Sequence, residues 1–116
     1  MFTQNTDDLF FLSGIDEHMV VHAHGTGWYA SCAVCGEKSD IKELNANLRK
    51  GEVLYCKKCT QPDGSGSPIK PGVVFFNESL PKDFYSNVKK EALSEVDLLL
   101  ILGTTLRVRP FGLITN

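Results

Sequence analysis

The sequence predicts an α/β fold, a piece of parallel sheet interrupted by a small module built on four cysteines. Three observations predict it. Two compact apolar runs of strand length, "VVFF" at residues 73–76 and "VDLLLILG" at 96–103, bracket a stretch with helical periodicity. Two Cys-x2-Cys pairs, Cys32/Cys35 and Cys56/Cys59, stand twenty residues apart. All three histidines, His18, His22 and His24, fall just ahead of the first pair, in "EHMVVHAHGTGWYASCAVC".

At 116 residues the chain is one domain or part of a larger one. Its 42% hydrophobic and 22% charged content is that of an ordinary globular protein. A net charge of -2 supplies no basic footprint, so no direct nucleic-acid partner is expected. No apolar run approaches the ~18 residues that span a bilayer, so no membrane partner is expected either. The opening "MFTQNTDDLF" lacks the basic start and apolar core of a signal peptide. These features predict a chain inside the cell, nuclear or cytoplasmic, where paired thiols bind metal more often than they form disulfides.

In chain order, "MVVHAHG" reads as a short strand ending at Gly25, with His22 and His24 two apart and therefore on one face. His18 in "DEHM" reads as a surface turn residue. The cysteine pairs follow. A Cys-x2-Cys turn presents two sulfurs from one knuckle, and Zn2+ in structural sites prefers a closed tetrahedron of thiolates. Cys32, Cys35, Cys56 and Cys59 are therefore assigned to one structural zinc, which leaves no open position for a water. Between the pairs, "DIKELNANLRKG" predicts a helix capped by Asp40, ended by Gly51, with Ile41, Leu44 and Leu48 on one face. "TQPDGSGSPIKPG" is a loop leaving the module.

The "VVFF" strand comes next, then a helix over "SLPKDFYSNVKKEAL" with Phe84, Val88 and Ala92 on its inner face. "VDLLLILG", apolar on both faces, predicts a buried parallel strand. "GTTLRVRPFGLI" supplies a polar turn, after which Pro110 opens another helix. Strand, helix, strand describe a right-handed crossover, and ligands collect beyond the carboxyl ends of such strands. A histidine at a strand end beside a glycine can serve as a general base. On these residues alone, a packed or solvated histidine is the plainer alternative.

"TQNTD", "HAHGT", the two cysteine pairs, "IKPGVVFFNESLP" and "DLLLILGTTL" occur in the order and approximate spacing of the sirtuin family, so the chain resembles a sirtuin from about Thr3 to Ile114. The resemblance implies an NAD-dependent protein-lysine deacetylase or deacylase, with NAD and Zn2+ as cofactors. Acyl-lysine proteins, histone or non-histone, would be its substrates. It implies a partial Rossmann-like parallel sheet carrying the four-cysteine module: residues 1–27 on the Rossmann side, 28–68 the zinc module, 69–116 a β-α-β-α segment. His24, in the family's "HG" position, becomes the catalytic base that deprotonates a ribose hydroxyl. His22, where many sirtuins have an acidic residue, inherits no role.

Gln4, Asn5 and Asp7 match the family's "QNID" contacts to the nicotinamide ribose, with Thr6 in place of the usual isoleucine. Gly103, Thr104 and Thr105 match its "GTS" contact to NAD. Val74 and Phe76 match residues that hold the acyl-lysine. Asn77 and Glu78 resemble the family's edge where a substrate peptide adds as a strand, Asn77 replacing a usual glycine. Nothing in the chain matches the Gly-Ala-Gly phosphate loop or the mobile cofactor loop that the resemblance implies ahead of this region. The sequence therefore reads as a central fragment, with little or no turnover expected of the chain alone. The alternative readings are a non-catalytic zinc-binding interaction module and a degenerate sirtuin copy.

Overall fold

The computed structural model describes residues 1–60, 62–90, 95–109 and 111–113. Two small sheets organise it, each with its own apolar core.

The first sheet is parallel. β1 (Phe2–Thr3) pairs with β2 (Val21–His22), in the register Phe2 to Val21 and Thr3 to His22. The amides of Val21 and Ala23 donate to the carbonyls of Met1 and Thr3 at 2.8 and 3.0 Å. Two 3-10 turns, Leu9–Ser13 and Glu17–Met19, carry the chain between the strands. His18 sits in the second turn, capped by the Asp16 side chain, as the sequence reading has it.

The second sheet is antiparallel, and no pattern in the sequence points to it. Its order is β4 (Lys38–Ser39), β3 (Gly25–Cys32), β6 (Gly66–Val73), β5 (Tyr55–Thr60). Pro68 and Pro71 lie in β6, an inner strand, where each removes a ladder donor. The pairings beside them are irregular: five steps along β3, from Gly25 to Ala30, face two along β6. Helix α1 (Ile41–Arg49) forms as predicted, the Lys42 amide bonded to the Asp40 carboxylate at 2.8 Å. It lays Leu44 into a core of Ala30, Cys32, Cys56 and Ile69, with Ile41 alongside. Burying Leu44 contributes about 1.5–3 kcal/mol. Leu48, expected on that face, is instead 55% exposed. It lies one turn beyond Leu44, where the helix is about to end.

Helix α2 (Lys82–Lys90) covers the parallel pair. Phe84 is buried with Ala23 and Phe111, and Phe2, Val21, Leu80, Val88 and Leu106 close around them. Phe84 meets Phe2 edge-on and stacks on Phe111. Ala92 and Pro110 lie outside the described residues.

Two expected strands are absent among the described residues. "VVFF" is strand only at Val73, the last residue of β6. Beyond it the donors are taken locally: the Val74 amide bonds the His24 carbonyl at 2.9 Å, and the Phe75 amide bonds the Glu78 carboxylate at 2.8 Å. "VDLLLILG" runs in irregular, exposed conformation, with Leu98, Leu100 and Leu102 each more than 70% exposed. A parallel strand is stable only between neighbours that take up its amides and carbonyls, and no described strand lies beside this one. The "MVVHAHG" strand is also shorter than expected. It stops at His22, and Ala23 and His24 form a turn into β3, so the two histidines do not share a strand face. No helix among the described residues is long and apolar enough to cross a membrane.

Candidate functional site

The turn between β2 and β3 is where the predicted residues meet. Gly25 must be glycine there, with φ at +71° and the Gly72 carbonyl across the sheet filling the place a Cβ would take. That close approach sets His24 at the head of β3. The His24 ring is partly buried, and its Nδ1 lies 3.1 Å from the Gln4 carbonyl oxygen. A carbonyl only accepts, so Nδ1 carries the proton and Nε2 keeps the free lone pair. The Gln4 side chain reaches the other way, its Oε1 accepting from the Thr104 hydroxyl at 2.8 Å. Thr104 Oγ1 also accepts from the Leu106 amide, closing the turn after Gly103. Val74 joins through its amide bond to the His24 carbonyl. Gln4, His24, Val74 and Thr104, spread over a hundred residues of chain, are thus hydrogen-bonded into one unit.

Other predicted residues stand apart from that unit. The Asn5 amide bonds Thr3 Oγ1, and the Asp7 carboxylate caps the Leu9 amide at 3.2 Å. Gly103 and Thr105 are exposed, and open space lies where a Gly103 side chain would be. Phe76 projects fully into solvent. Asn77 adopts φ +68°, a left-handed conformation that asparagine tolerates better than most residues. Glu78 turns inward. It accepts from Phe75 and from Lys70 Nζ at 3.0 Å, and its carboxyl is held below the usual range first by the Phe75 amide and then by Lys70. Lys70 also donates to the Val73 carbonyl at 2.8 Å and lies over the Phe75 ring. The pair ties down both ends of the segment carrying Val74 and Phe76.

The four cysteines gather at the far end of β3. Their sulfurs all lie within 4.8 Å of one another, with Cys32 to Cys59 at 3.3 Å and Cys35 to Cys56 at 3.8 Å. Four sulfurs about 2.3 Å from a central zinc stand about 3.8 Å apart, so the cluster is compatible with that ion. Backbone amides of Val34 and Cys35 point at the Cys32 sulfur, and that of Lys58 at Cys56. The Cys35 amide brings the Cys32 thiol down to about 6, against its burial, with Val34 and the neighbouring thiols adding to the effect. Cys59 is pushed up to about 12: Ser67 lowers it, but the contact with Cys32, burial and the remaining thiols raise it. Without a cation four adjoining thiols cannot all ionise, whereas a bound divalent metal deprotonates its thiols outright.

Sequence reasoning missed Asp8, Ser67 and Lys70. Ser67, 1% exposed, lies against Cys59, and Asp8, 6% exposed, lies beneath the His24 turn. Nothing in their sequence neighbourhoods marks them. Burial is decided by which distant segments pack, and "DD" or "SGS" alone reads as surface.

A family model described as "Sir2 family" matches residues 1–110. A Trypanosoma brucei brucei protein, "NAD-dependent protein deacetylase SIR2rp1", is 46% identical over 110 residues, covering 95% of this chain and 29% of its own length. The Mus musculus "NAD-dependent protein deacetylase sirtuin-3" is 40% identical over 112 residues, covering 97% and 31%. The Homo sapiens "NAD-dependent protein deacetylase sirtuin-1" is 36% identical over 115 residues, covering 99% and 15%. The chain thus spans under a third of each of these relatives. With the cysteine cluster and the joined His24, Gln4 and Thr104 already in view, a match over this much of its length means that the chain belongs to the Sir2 family.

Proposed function

We propose that this chain carries the central part of an NAD-dependent protein deacetylase site, with His24 as the general base. One observation supports it above the rest: the His24 Nδ1–H is engaged by the Gln4 carbonyl, so Nε2 is free to take a proton. In this reading residues 1–27 and 69–116 belong to a Rossmann-like domain, and residues 28–68 form the zinc module. Cys32, Cys35, Cys56 and Cys59 hold Zn2+ as a structural ion that fixes the two knuckles.

The donor set around His24 suits a ribosyl amide cofactor. The Gln4 amide and Thr104 hydroxyl are already paired, and the open space beside Gly103 leaves room for a ligand. Gln4, Asn5 and Asp7 would hold the nicotinamide ribose and carboxamide from one side, Gly103, Thr104 and Thr105 the cofactor from the other. NAD, when bound, supplies the acyl acceptor and nicotinamide as leaving group. The protein's part is positional. Val74 and Phe76 flank the acyl-lysine, Asn77 and Glu78 shape the edge where the peptide backbone adds, and His24 Nε2 removes the hydroxyl proton. The partners are acyl-lysine proteins.

The test is nicotinamide release from NAD and an acetyl-lysine peptide, with residues 1–110 replacing the matching segment of a full-length Sir2 relative. His24→Ala should lower the rate by about 10²–10⁴-fold, the usual worth of a positioned base. His18→Ala, on its surface turn, should leave it nearly unchanged, and His22→Ala should cost far less than His24→Ala. Equal losses at His22 and His24 would remove His24 from the role.

A further inference from the structure

Beneath the His24 turn lies a group that the proposed reaction does not use. Asp8 is 6% exposed and sits at φ +57°, a left-handed conformation that aspartate adopts more readily than most residues with a side chain. A buried carboxylate is costly unless it is bonded. Both carboxylate oxygens face the segment that carries His24. Oδ2 accepts from the Thr26 hydroxyl, and Oδ1 lies 3.8 Å from His22 Nδ1. Those two atoms, Asp8 Oδ1 and His22 Nδ1, are buried, and neither has a hydrogen-bond partner among the described residues. Phe10 and Phe11 stand at 4.8 and 6.2 Å from the His22 ring, the second stacked on it, so the pair is walled by aromatic carbon.

We propose that Asp8 is a positioning residue that latches residues 4–8 onto the His24 turn, and that the tautomer of His24 depends on it. The proposal rests on His24 being the base. Two further bonds join the same segments: the Gly27 amide to the Thr6 carbonyl at 3.2 Å, and His24 Nδ1 to the Gln4 carbonyl at 3.1 Å. The Gln4 carbonyl fixes the imidazole proton only while it stays in front of the ring. Asp8 ends the loop that carries it, and Thr26 stands two residues beyond His24. The Asp8–Thr26 bond is therefore the side-chain clasp that keeps carbonyl and ring in line, and His22, half-buried beside the carboxylate, closes the clasp from behind. His22 thereby acquires a structural role, packing behind Asp8.

The experiment reads imidazole nitrogen signals by NMR in the zinc-loaded full chain, without turnover. In the parent, His24 should show a single Nδ1–H tautomer. Asp8→Ala and Thr26→Val should each lose it to a mixture with Nε2–H. Asp8→Asn and Thr26→Ser, which keep an acceptor and a hydroxyl in place, should retain it. In parallel samples loaded with cadmium-113 in place of zinc, the metal signal from the four-cysteine site should stay unchanged in every variant, separating loss of the latch from loss of the fold. Thr26→Val preserves shape, so it carries the test if Asp8→Ala does not fold. A His24 that keeps its Nδ1–H tautomer in Thr26→Val, or that Thr26→Ser fails to preserve, overturns the proposal. Failure of His24 as base would show instead as nicotinamide release surviving His24→Ala, a result the tautomer measurement does not depend on.

Discussion

Replacing Gly25 by alanine tests whether the contact between β3 and β6 sets the His24 turn. A Cβ built there lies 2.1 Å from the Gly72 carbonyl oxygen, 3.1 Å from its carbon and 3.2 Å from the Val73 Cα. An ordinary carbon–oxygen contact is about 3.3 Å, so the strands must part by roughly an ångström. All three atoms are backbone, and no side chain can swing aside. The left-handed φ of +71° adds a second cost for any residue with a Cβ. That conformational term is about 1–2 kcal/mol, and forced overpacking adds about 1–3 kcal/mol. The expected destabilisation is their sum, about 2–5 kcal/mol, a large share of the ~5–15 kcal/mol that holds a typical domain together.

Gly14 supplies the control. It has φ +78°, but no atom lies within 4 Å of the place a Cβ would take, so Gly14→Ala should show only the conformational cost, about 1–2 kcal/mol. Urea midpoints of the two zinc-loaded variants, followed by circular dichroism, give the comparison. The Val74-to-His24 hydrogen bond should weaken only in Gly25→Ala, seen as faster amide exchange at Val74. If Gly25→Ala is no more destabilising than Gly14→Ala, the Gly72 contact is not what holds the turn.

Leu44→Ala should cost about 2–5 kcal/mol, because Leu44 is buried among the cysteine-bearing strands, whereas Leu48→Ala should stay within about 0.5 kcal/mol; thermal melting of both, with zinc present, checks the pair. Glu78 has its carboxyl pKa lowered in the fold, so its stabilisation is present above the unfolded value and is lost as pH falls through the folded one. Glu78→Gln should therefore be less stable than the parent at neutral pH and converge with it in acid, and a constant offset across a pH series of melts would contradict the Lys70 and Phe75 contacts. Metal analysis of freshly reduced protein should find one zinc per chain, lost in Cys35→Ser. Chelation should expose the amides of α1 and β5 to exchange before those under α2, and reduced protein without zinc would defeat the assignment.

The legible parts of the molecule are those where a local pattern has a local consequence. Asp40 and the spacing of Ile41 and Leu44 specify a capped helix whatever surrounds it, and the spacing of Phe84 and Val88 specifies the inner face of α2. The Cys-x2-Cys spacing brings four sulfurs together because each knuckle is a tight turn. Strands are less legible, because their existence depends on a partner the sequence does not name. "VVFF" and "VDLLLILG" have strand composition, yet one loses its amides to His24 and Glu78 and the other has no described neighbour. β3, β5 and β6 escape notice for the opposite reason. "GTGWYASC", "YCKKCT" and "GSPIKPGV" lack clean alternation and carry glycine or proline or a run of charge, but hydrogen bonding across the cysteine module makes strands of them. The site divides likewise: His24 with Gln4 and Thr104 comes from family resemblance, while Asp8, Ser67 and Lys70 require the packed chain.

The ladder between β3 and β6 also determines where the chain can change length. Ala30 and Cys32 point to one side of β3 and meet Pro71 and Ile69 in unbroken register. One residue added between them turns Cys32 to the opposite face and takes a sulfur out of the cluster. The turn at Asp63, Gly64 and Ser65 has no such constraint. It is exposed and closes on itself through the Asp63 carboxylate, so added residues there lengthen a surface loop and leave both strands in step. The stretch from Gly25 to Ala30 lies between these extremes, because its bulge already holds surplus backbone. Length variation among chains of this kind should therefore gather at the hairpin tip, thin out along the bulge and vanish between the last paired residues before the first knuckle.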